Sequence, residues 1–280
     1  MDTTKKKELQ ALACKVRMGV IEGTGNAKSG HPGGSLSIAD IVTYLYFNEM
    51  NVDPANPKWA DRDRFVLSKG HTAPALYAAL ALKGFFSWDH IKTLRQQDSI
   101  LQGHPSMHYT PGVDMSTGSL GQGLSAAVGM ALGAKLQGKA FRVYAPLGDG
   151  EIEEGQIWEA AMFAGNKGLD NLVAIVDWNN LQIDGTLDEV NSPCPIDEKF
   201  AAFGWNVITI DGHDFDQIDD AFTAAKACKG KPTCIVAKTI KGKGVSFMED
   251  KCEWHGSAPN AEQYEQAMAE LNAALAEVEA

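Results

Sequence analysis

Two short polar stretches, each placed after an apolar run, carry the residues best suited to chemistry. Gly148-Asp149-Gly150 follows the run 141–147, and Asn179-Asn180 follows 172–176. Such runs read as strands, which puts both stretches on loops at strand carboxyl ends, where open α/β sheets bind ligands. A carboxylate and an amide oxygen suit a hard divalent cation shared with phosphates, the usual situation of Mg²⁺ and its octahedral oxygen shell. The flanking glycines let the backbone approach phosphate and offer it N–H groups. Gly, Asp and Asn are also common turn residues. It is the two halves together, each behind its own strand, that point to a cofactor.

Histidines supply the second set. His31 lies in Ser-Gly-His-Pro-Gly, His71 in Ser-Lys-Gly-His, His104 in Gly-His-Pro, His213 in Asp-Gly-His-Asp and His255 in Trp-His-Gly. A single histidine beside glycine is an ordinary turn residue. Several on loops after strands or helices form a set able to donate to and accept from hydroxyls, carbonyls and phosphates near neutral pH. His90 and His108 lack such settings and are read as ordinary; His213 reads as part of a strand-ending turn.

The elements that position these loops follow from periodicity. Leu9, Leu12, Val16, Val20 and Ile21 recur at helical spacing within 7–25. After the loop 29–34, Ser35 or Ser37 caps a second helix through Ile41, Leu45 and Phe47. Residues 64–67 form a short strand, 72–82 and 88–96 helices, 101–123 a glycine-rich loop, and 124–136 a helix of small residues. A helix over 153–166, strands over 205–210 and 233–240 around a helix over 215–228, and an Ala/Glu-rich helix from Asn260 complete the chain. Strands alternating with helices of this length predict an α/β fold: a doubly wound, mainly parallel sheet with helices on both faces. The 280 residues read as one domain, 1–280, with a helical tail.

Composition narrows the partners. A formal net charge of −11, with no basic block beyond Lys5-Lys6-Lys7, lacks the electrostatic term behind most nucleic-acid affinity. The five cysteines show no CxxC spacing and fit a reducing compartment better than a disulfide framework. The amino-terminal segment has no apolar signal core, and no apolar run reaches bilayer length. The expectation is a cytoplasmic protein with neither nucleic acid nor membrane as partner.

The pairing of Gly148-Asp149-Gly150 with Asn179-Asn180 resembles the thiamine diphosphate signature. Other segments make the resemblance narrower: Ser29 to Gly33, Ala60-Asp-Arg-Asp-Arg-Phe-Val-Leu-Ser68 with Lys69-Gly-His71, Gly103-His-Pro105, Thr117-Gly-Ser-Leu-Gly-Gln-Gly123, Asp177-Trp-Asn-Asn-Leu-Gln-Ile-Asp-Gly185 and Trp254-His-Gly256. In order and spacing these are similar to the N-terminal part of transketolase, over nearly the whole chain.

The resemblance implies that Asp149, Asn179 and the backbone carbonyl of Leu181 ligate Mg²⁺ or Ca²⁺. It implies that His71, Gly150, His255 and the Gly118-Ser119-Leu120 turn, with Asp149 and Asn179, hold thiamine diphosphate. His31 and His104 would face sugar hydroxyls, with His71 and His255 near the reacting carbon, so that the four histidines form the catalytic set. Glu154 matches a glutamate that joins a carboxylate network between two active sites, which places self-association nearby. Ser106 stands where the family often has glutamate, and no role is attached to it.

Single-chain transketolases continue into a pyrimidine-binding domain and a C-terminal domain. The expectation is therefore the N-terminal subunit of a two-chain transketolase, passing a two-carbon ketol unit from a ketose phosphate to an aldose phosphate. Activity would need a partner subunit carrying those two domains, in a heterotetramer, with the pentose phosphate pathway as the default setting. Two other readings compete. The alpha subunit of a 2-oxo acid dehydrogenase first component shares the half-site but has no comparable need for partners to ketose hydroxyls. A non-catalytic regulatory relative would have lost members of the metal and histidine sets, and none is lost here.

Overall fold

The computed structural model describes residues 1–280. Its centre is a sheet of five parallel strands in the order β1-β2-β3-β5-β4. The strands are β1 (Arg64–Phe65), β2 (Val143–Gly148), β3 (Leu172–Trp178), β4 (Asn206–Asp211) and β5 (Thr233–Lys238). The register pairs Gly148 with Asp177, so the two chemistry-bearing loops leave neighbouring strands side by side. This is the parallel sheet the alternation of strands and helices predicts.

Ten α-helices surround it: α1 (Thr3–Ala27), α2 (Pro32–Ser37), α3 (Ala39–Tyr44), α4 (Ala73–Lys83), α5 (Gln122–Leu136), α6 (Gly155–Asn166), α7 (Leu187–Val190), α8 (Ile196–Ala202), α9 (Phe215–Ala227) and α10 (Ala261–Glu279). Strand side chains alternate between two cores, as the pleat requires. Leu172, Ala174 and Val176 of β3 pack with α5, α6 and α8; Val173 and Ile175 pack with α1, α3, α4, α9 and α10. Burial on both faces explains why the strand sequences are continuous apolar runs.

The two layers are unequal. The core on the α1 side holds 44 buried residues and the one on the α5–α6 side 22. On the thin side Leu136, Met162 and Phe163 stay 79%, 55% and 42% exposed. Met107, Tyr109, Leu120, Ile183 and Val190 are exposed elsewhere on the chain. No helix is long and apolar enough to cross a membrane, and all five cysteines are free thiols.

The serines expected to cap the second helix have other partners. Pro32, whose fixed φ suits the first helical position, starts α2 instead. Ser35 donates to the His31 carbonyl at 2.7 Å, and Ser37 donates to Asp177 at 2.5 Å. The run then breaks at Ile38 and ends in a π turn, Leu45–Glu49. The helix expected over 88–96 is a 3₁₀ segment, Trp88–Thr93, stopped where Leu94 turns extended. Helices α7 and α8 were not foreseen; a Thr186–Glu189 capping box starts the first.

The cores predict a contrast between two substitutions. Ile175→Ala empties a fully buried position and should cost about 2–5 kcal/mol. Leu136→Ala, at an exposed position, should stay within about 0.5 kcal/mol for the chain alone. Urea denaturation of both variants checks the pair.

Candidate functional site

Asp149 sits at the turn after β2, almost fully buried. Its Oδ1 accepts from the Gly150 N–H at 2.9 Å and its Oδ2 from the Asn180 N–H at 2.6 Å. Asn180 aims that N–H from a left-handed backbone (φ 64°), a conformation asparagine tolerates better than most side chains. The paired asparagines thus divide the work. Asn180 makes the turn, while the Asn179 Oδ1 accepts from the Leu181 N–H at 3.1 Å and keeps a further lone pair. Burial and the neighbouring Asp177 carboxylate raise the Asp149 pKa to about 7. Asp149 has no cationic hydrogen-bond partner, so an oxygen-ligated dication fits this corner.

Asp177, at the end of β3, has a cation of its own. Lys69, from the loop after β1, pairs with its Oδ2, which also accepts from Ser37; Thr239 bonds its Oδ1. Burial alone would raise the Asp177 pKa, but Lys69 and the hydroxyls hold it below the usual carboxylate range. Lys241, from the loop after β5, donates to the Leu181 carbonyl at 2.8 Å and to His255 Nδ1 at 2.9 Å. Burial, partly offset by Asp149, brings its pKa down to about 8. Glu151 ties the same end of the sheet together, accepting from Ser68 at 2.5 Å and from the Gly121 and Gly148 N–H groups.

Four histidines meet here from four separate loops. His31 lies 5.3 Å from His71, 6.4 Å from His104 and 5.7 Å from His255 between ring centroids; His71 stacks on His255 at 5.0 Å. Burial, then neighbouring cations, lowers all four: His31 to about 4, His255 to about 3, His71 well below the usual value and His104 less far. They are neutral imidazoles near pH 7. The tautomers follow from the partners. Lys241 has no acceptor, so His255 Nδ1 must accept, and the proton is on Nε2. Arg95, 3.4 Å from His31 Nδ1, fixes the same tautomer there.

The loops interlock closely. A Cβ on Gly70 would fall 2.7 Å from the Gly118 nitrogen, and one on Gly118, at φ 147°, 3.0 Å from the His104 ring. A cavity of about 180 Å³ opens between them, lined among others by His71, Leu120, Asp149, Asn179, Lys241 and His255. Gly34 borders it, and a Cβ there would approach His71 and Lys69.

Asp149, Gly150, Asn179, Leu181, Leu120, His71 and His255, all named from sequence, thus line one cavity. His31 and His104 stand outside its lining, beside the other rings, and Gly118 and Ser119 are outside it as well. Glu154 is exposed, at the N-terminus of α6 on the thin side of the sheet. His213 is in the turn after β4, as read. Sequence reasoning assigned no role to Lys69, Asp177, Lys241 or Arg95. A lysine directly after an apolar strand run, as at 241, was the available signal.

The fold and the cavity at the strand ends define a thiamine diphosphate-binding α/β domain. The chain belongs to the transketolase family: the family profile described as transketolase, thiamine diphosphate binding domain, matches residues 9–275. It is 50% identical over 264 residues to the 6-deoxy-6-sulfo-D-fructose transketolase subunit SqwG of Clostridium sp., covering 94% of this chain and 96% of that one. It is 45% identical over 271 residues to an apulose-4-phosphate transketolase subunit of Phocaeicola vulgatus, covering 97% and 96%. A crystal structure of transketolase from Campylobacter jejuni superposes with a TM-score of 0.90 at 33% identity, covering 99% of this chain and 46% of that one. The chain thus spans about half the length of the solved transketolase it matches.

The depressed histidines make stability depend on pH with a definite sign. Their folded pKa values lie below the unfolded value near 6.5, so the stability they contribute is complete above about pH 6.5. It is lost as pH falls toward 4 for His31 and 3 for His255. His31→Gln should therefore lose less stability than the unsubstituted chain between about pH 6.5 and 4.5, measured by urea denaturation.

Proposed function

We propose that this chain is the cofactor-anchoring subunit of a two-chain transketolase and that Asp149, Asn179 and the Leu181 carbonyl hold Mg²⁺, or Ca²⁺, in its site. The observation that carries the proposal is one cavity in which a buried carboxylate without a cationic hydrogen-bond partner shares the lining with the neutral imidazoles of His71 and His255, His31 and His104 standing next to these rings. Thiamine diphosphate, when bound, supplies the electron sink that lets a two-carbon ketol unit leave a ketose and join an aldose. The chain's own residues bind and orient around it. Lys241 brings positive charge toward the diphosphate, and the Gly150 and Gly118-Ser119-Leu120 segments bring backbone close to it. Neutral His255, with its proton on Nε2, can donate to a substrate oxygen, and His31 can do the same toward sugar hydroxyls. His71 and His104 complete the set.

The need for a partner is supported by the relatives. Two proteins that this chain matches over nearly their full length carry the word subunit in their names. The thin α5–α6 side, with its exposed Leu136, Met162 and Phe163, is the face for assembly, and Glu154 on that side marks self-association. The partner brings the pyrimidine-binding and C-terminal domains, and two copies of each chain form a heterotetramer. Residues 1–280 act as one cytoplasmic domain. The substrates are sugar phosphates, the pentose phosphate pathway being the default setting; the relatives are named for sulfofructose and apulose phosphate, so the sugar is fixed by assay of the mixed subunits.

Asp149→Ala should abolish retention of thiamine diphosphate with Mg²⁺ in the assembled enzyme while the chain stays folded, because the change lies on a loop. Calorimetry giving unchanged affinity would refute the metal assignment. His31→Ala and His104→Ala should lower turnover on a ketose by about 10²-fold with cofactor affinity nearly intact; His71→Ala and His255→Ala should weaken both. Transketolase turnover by the chain alone, with no partner detected by mass spectrometry, would overturn the two-subunit reading.

A further inference from the structure

A buried polar triad away from the cavity is not used by the chemistry above. Arg17 on α1 pairs with Asp40 on α3 through both carboxylate oxygens, at 3.1 and 2.5 Å, and His213 Nδ1 lies 2.7 Å from Asp40 Oδ2. The state of each member is fixed by its neighbours. The Ile240 N–H donates to His213 Nε2 at 2.9 Å, so Nε2 is unprotonated and the imidazole proton is on Nδ1, donated to Asp40. Asp40 accepts from three donors as a carboxylate; burial alone would raise its pKa, but Arg17 holds it at about 2.

The other ends of the triad converge on one loop. His213 holds the Ile240 N–H, and Arg17 Nε donates to the Lys243 carbonyl at 3.1 Å. Between these two anchors stands Lys241, whose ammonium reaches the Leu181 carbonyl and His255. The backbone between the anchors is bonded as well. The Gly242 N–H donates to the Gly33 carbonyl at 3.0 Å, on the segment that follows His31, and the Lys241 carbonyl accepts from Asp250 at 3.0 Å.

We infer that Arg17, Asp40 and His213 are positioning residues: they clamp 240–243 from both ends and so set Lys241, and through it His255, in the cavity. The inference rests on the transketolase reading for its functional consequence but not for the clamp itself. A buried side chain that only filled space would not need a defined tautomer. Here a proton on Nε2 would remove the acceptor for Ile240, and a neutral Asp40 would lose its hold on the tautomer. A catalytic group held loosely by its supporting shell loses much of its effect.

Two measurements test this. In the chain alone, without cofactor, ¹⁵N signals of the His255 ring report the Lys241 hydrogen bond. His213→Asn keeps a donor toward Asp40 but has no group at the Nε2 position, and should shift the His255 signals in the direction that Lys241→Met does. His213→Gln, whose amide oxygen can reach that position, should restore them. In the assembled enzyme, titration with thiamine diphosphate and Mg²⁺ should show H213N weakening affinity by about tenfold. The H213N/K241M double variant should bind no more weakly than K241M alone, since the effect passes through Lys241. Unchanged His255 signals in a folded H213N chain, or additive losses in the double variant, would overturn the clamp. If H213N does not fold, Arg17→Lys, which keeps a cation beside Asp40 but lacks an Nε for Lys243, replaces it in both measurements. Failure of the unsubstituted enzyme to bind thiamine diphosphate would instead count against the proposed function, with the His255 signals still deciding the clamp.

Discussion

The site depends first on one buried charge. Asp177 ends the central strand β3 without access to solvent, and an isolated carboxylate there would be untenable. Lys69 must therefore come to it, and with Lys69 comes the loop that carries His71. Ser37 brings the end of α2 to Oδ2, Thr239 brings the segment after β5 to Oδ1, and Asn179 donates to Oδ2 at 3.4 Å. A single desolvated ion thus collects parts from most of the strand ends that build the cavity. The pair adds little net stability against an apolar replacement, yet removal of either partner strands the other and costs about 3–5 kcal/mol. Its value is registration: it makes the wrong arrangement of these loops expensive.

A second carboxylate, Asp149, is buried beside the first but has been given backbone donors in place of a cation. This difference between two neighbouring aspartates separates structure from chemistry. One is neutralised inside the protein and organises it. The other has backbone donors alone, and burial with the neighbouring carboxylate pushes its pKa up to about 7, a condition a bound dication relieves. The neutral imidazoles opposite suit the same plan, since rings that stay uncharged near pH 7 donate and accept without adding positive charge beside the dication.

Much of this was legible in the sequence because it was local. Glycines beside His31, His71, His104 and His255 marked loops, apolar runs marked strands, and Gly148-Asp149-Gly150 with Asn179-Asn180 carried its own context. Element type was legible wherever periodicity was long, as in α1, α5 and β3. It failed where tertiary partners outbid local signals: Ser35 and Ser37 read as caps but bond elsewhere, and the 88–96 run stops early as a 3₁₀ turn. The strand order and the Lys69–Asp177 and Lys241–His255 contacts were not legible, because they arise only when loops from different strands converge. Nothing near Asp40 or His213 in the chain announces that the two will meet.

The strand that leads into Lys69 and His71 has the shortest ladder of the five. β1 is two residues long, sits at the sheet edge, and pairs only with β2, which enters after the whole excursion through α4 and α5. Its ladder continues through the Val66 and Ser68 amides onto Tyr144 and Pro146, but no strand lies beyond it. Contacts between distant parts of a chain form late, because loop closure must come before they reward it. The β2–β3 and β4–β5 pairs are joined by shorter excursions, so closing them costs less chain entropy. The loop with His71 thus follows the strand contact that closes the longest stretch of chain in the sheet, and the buried Lys69–Asp177 pair is what fastens it there.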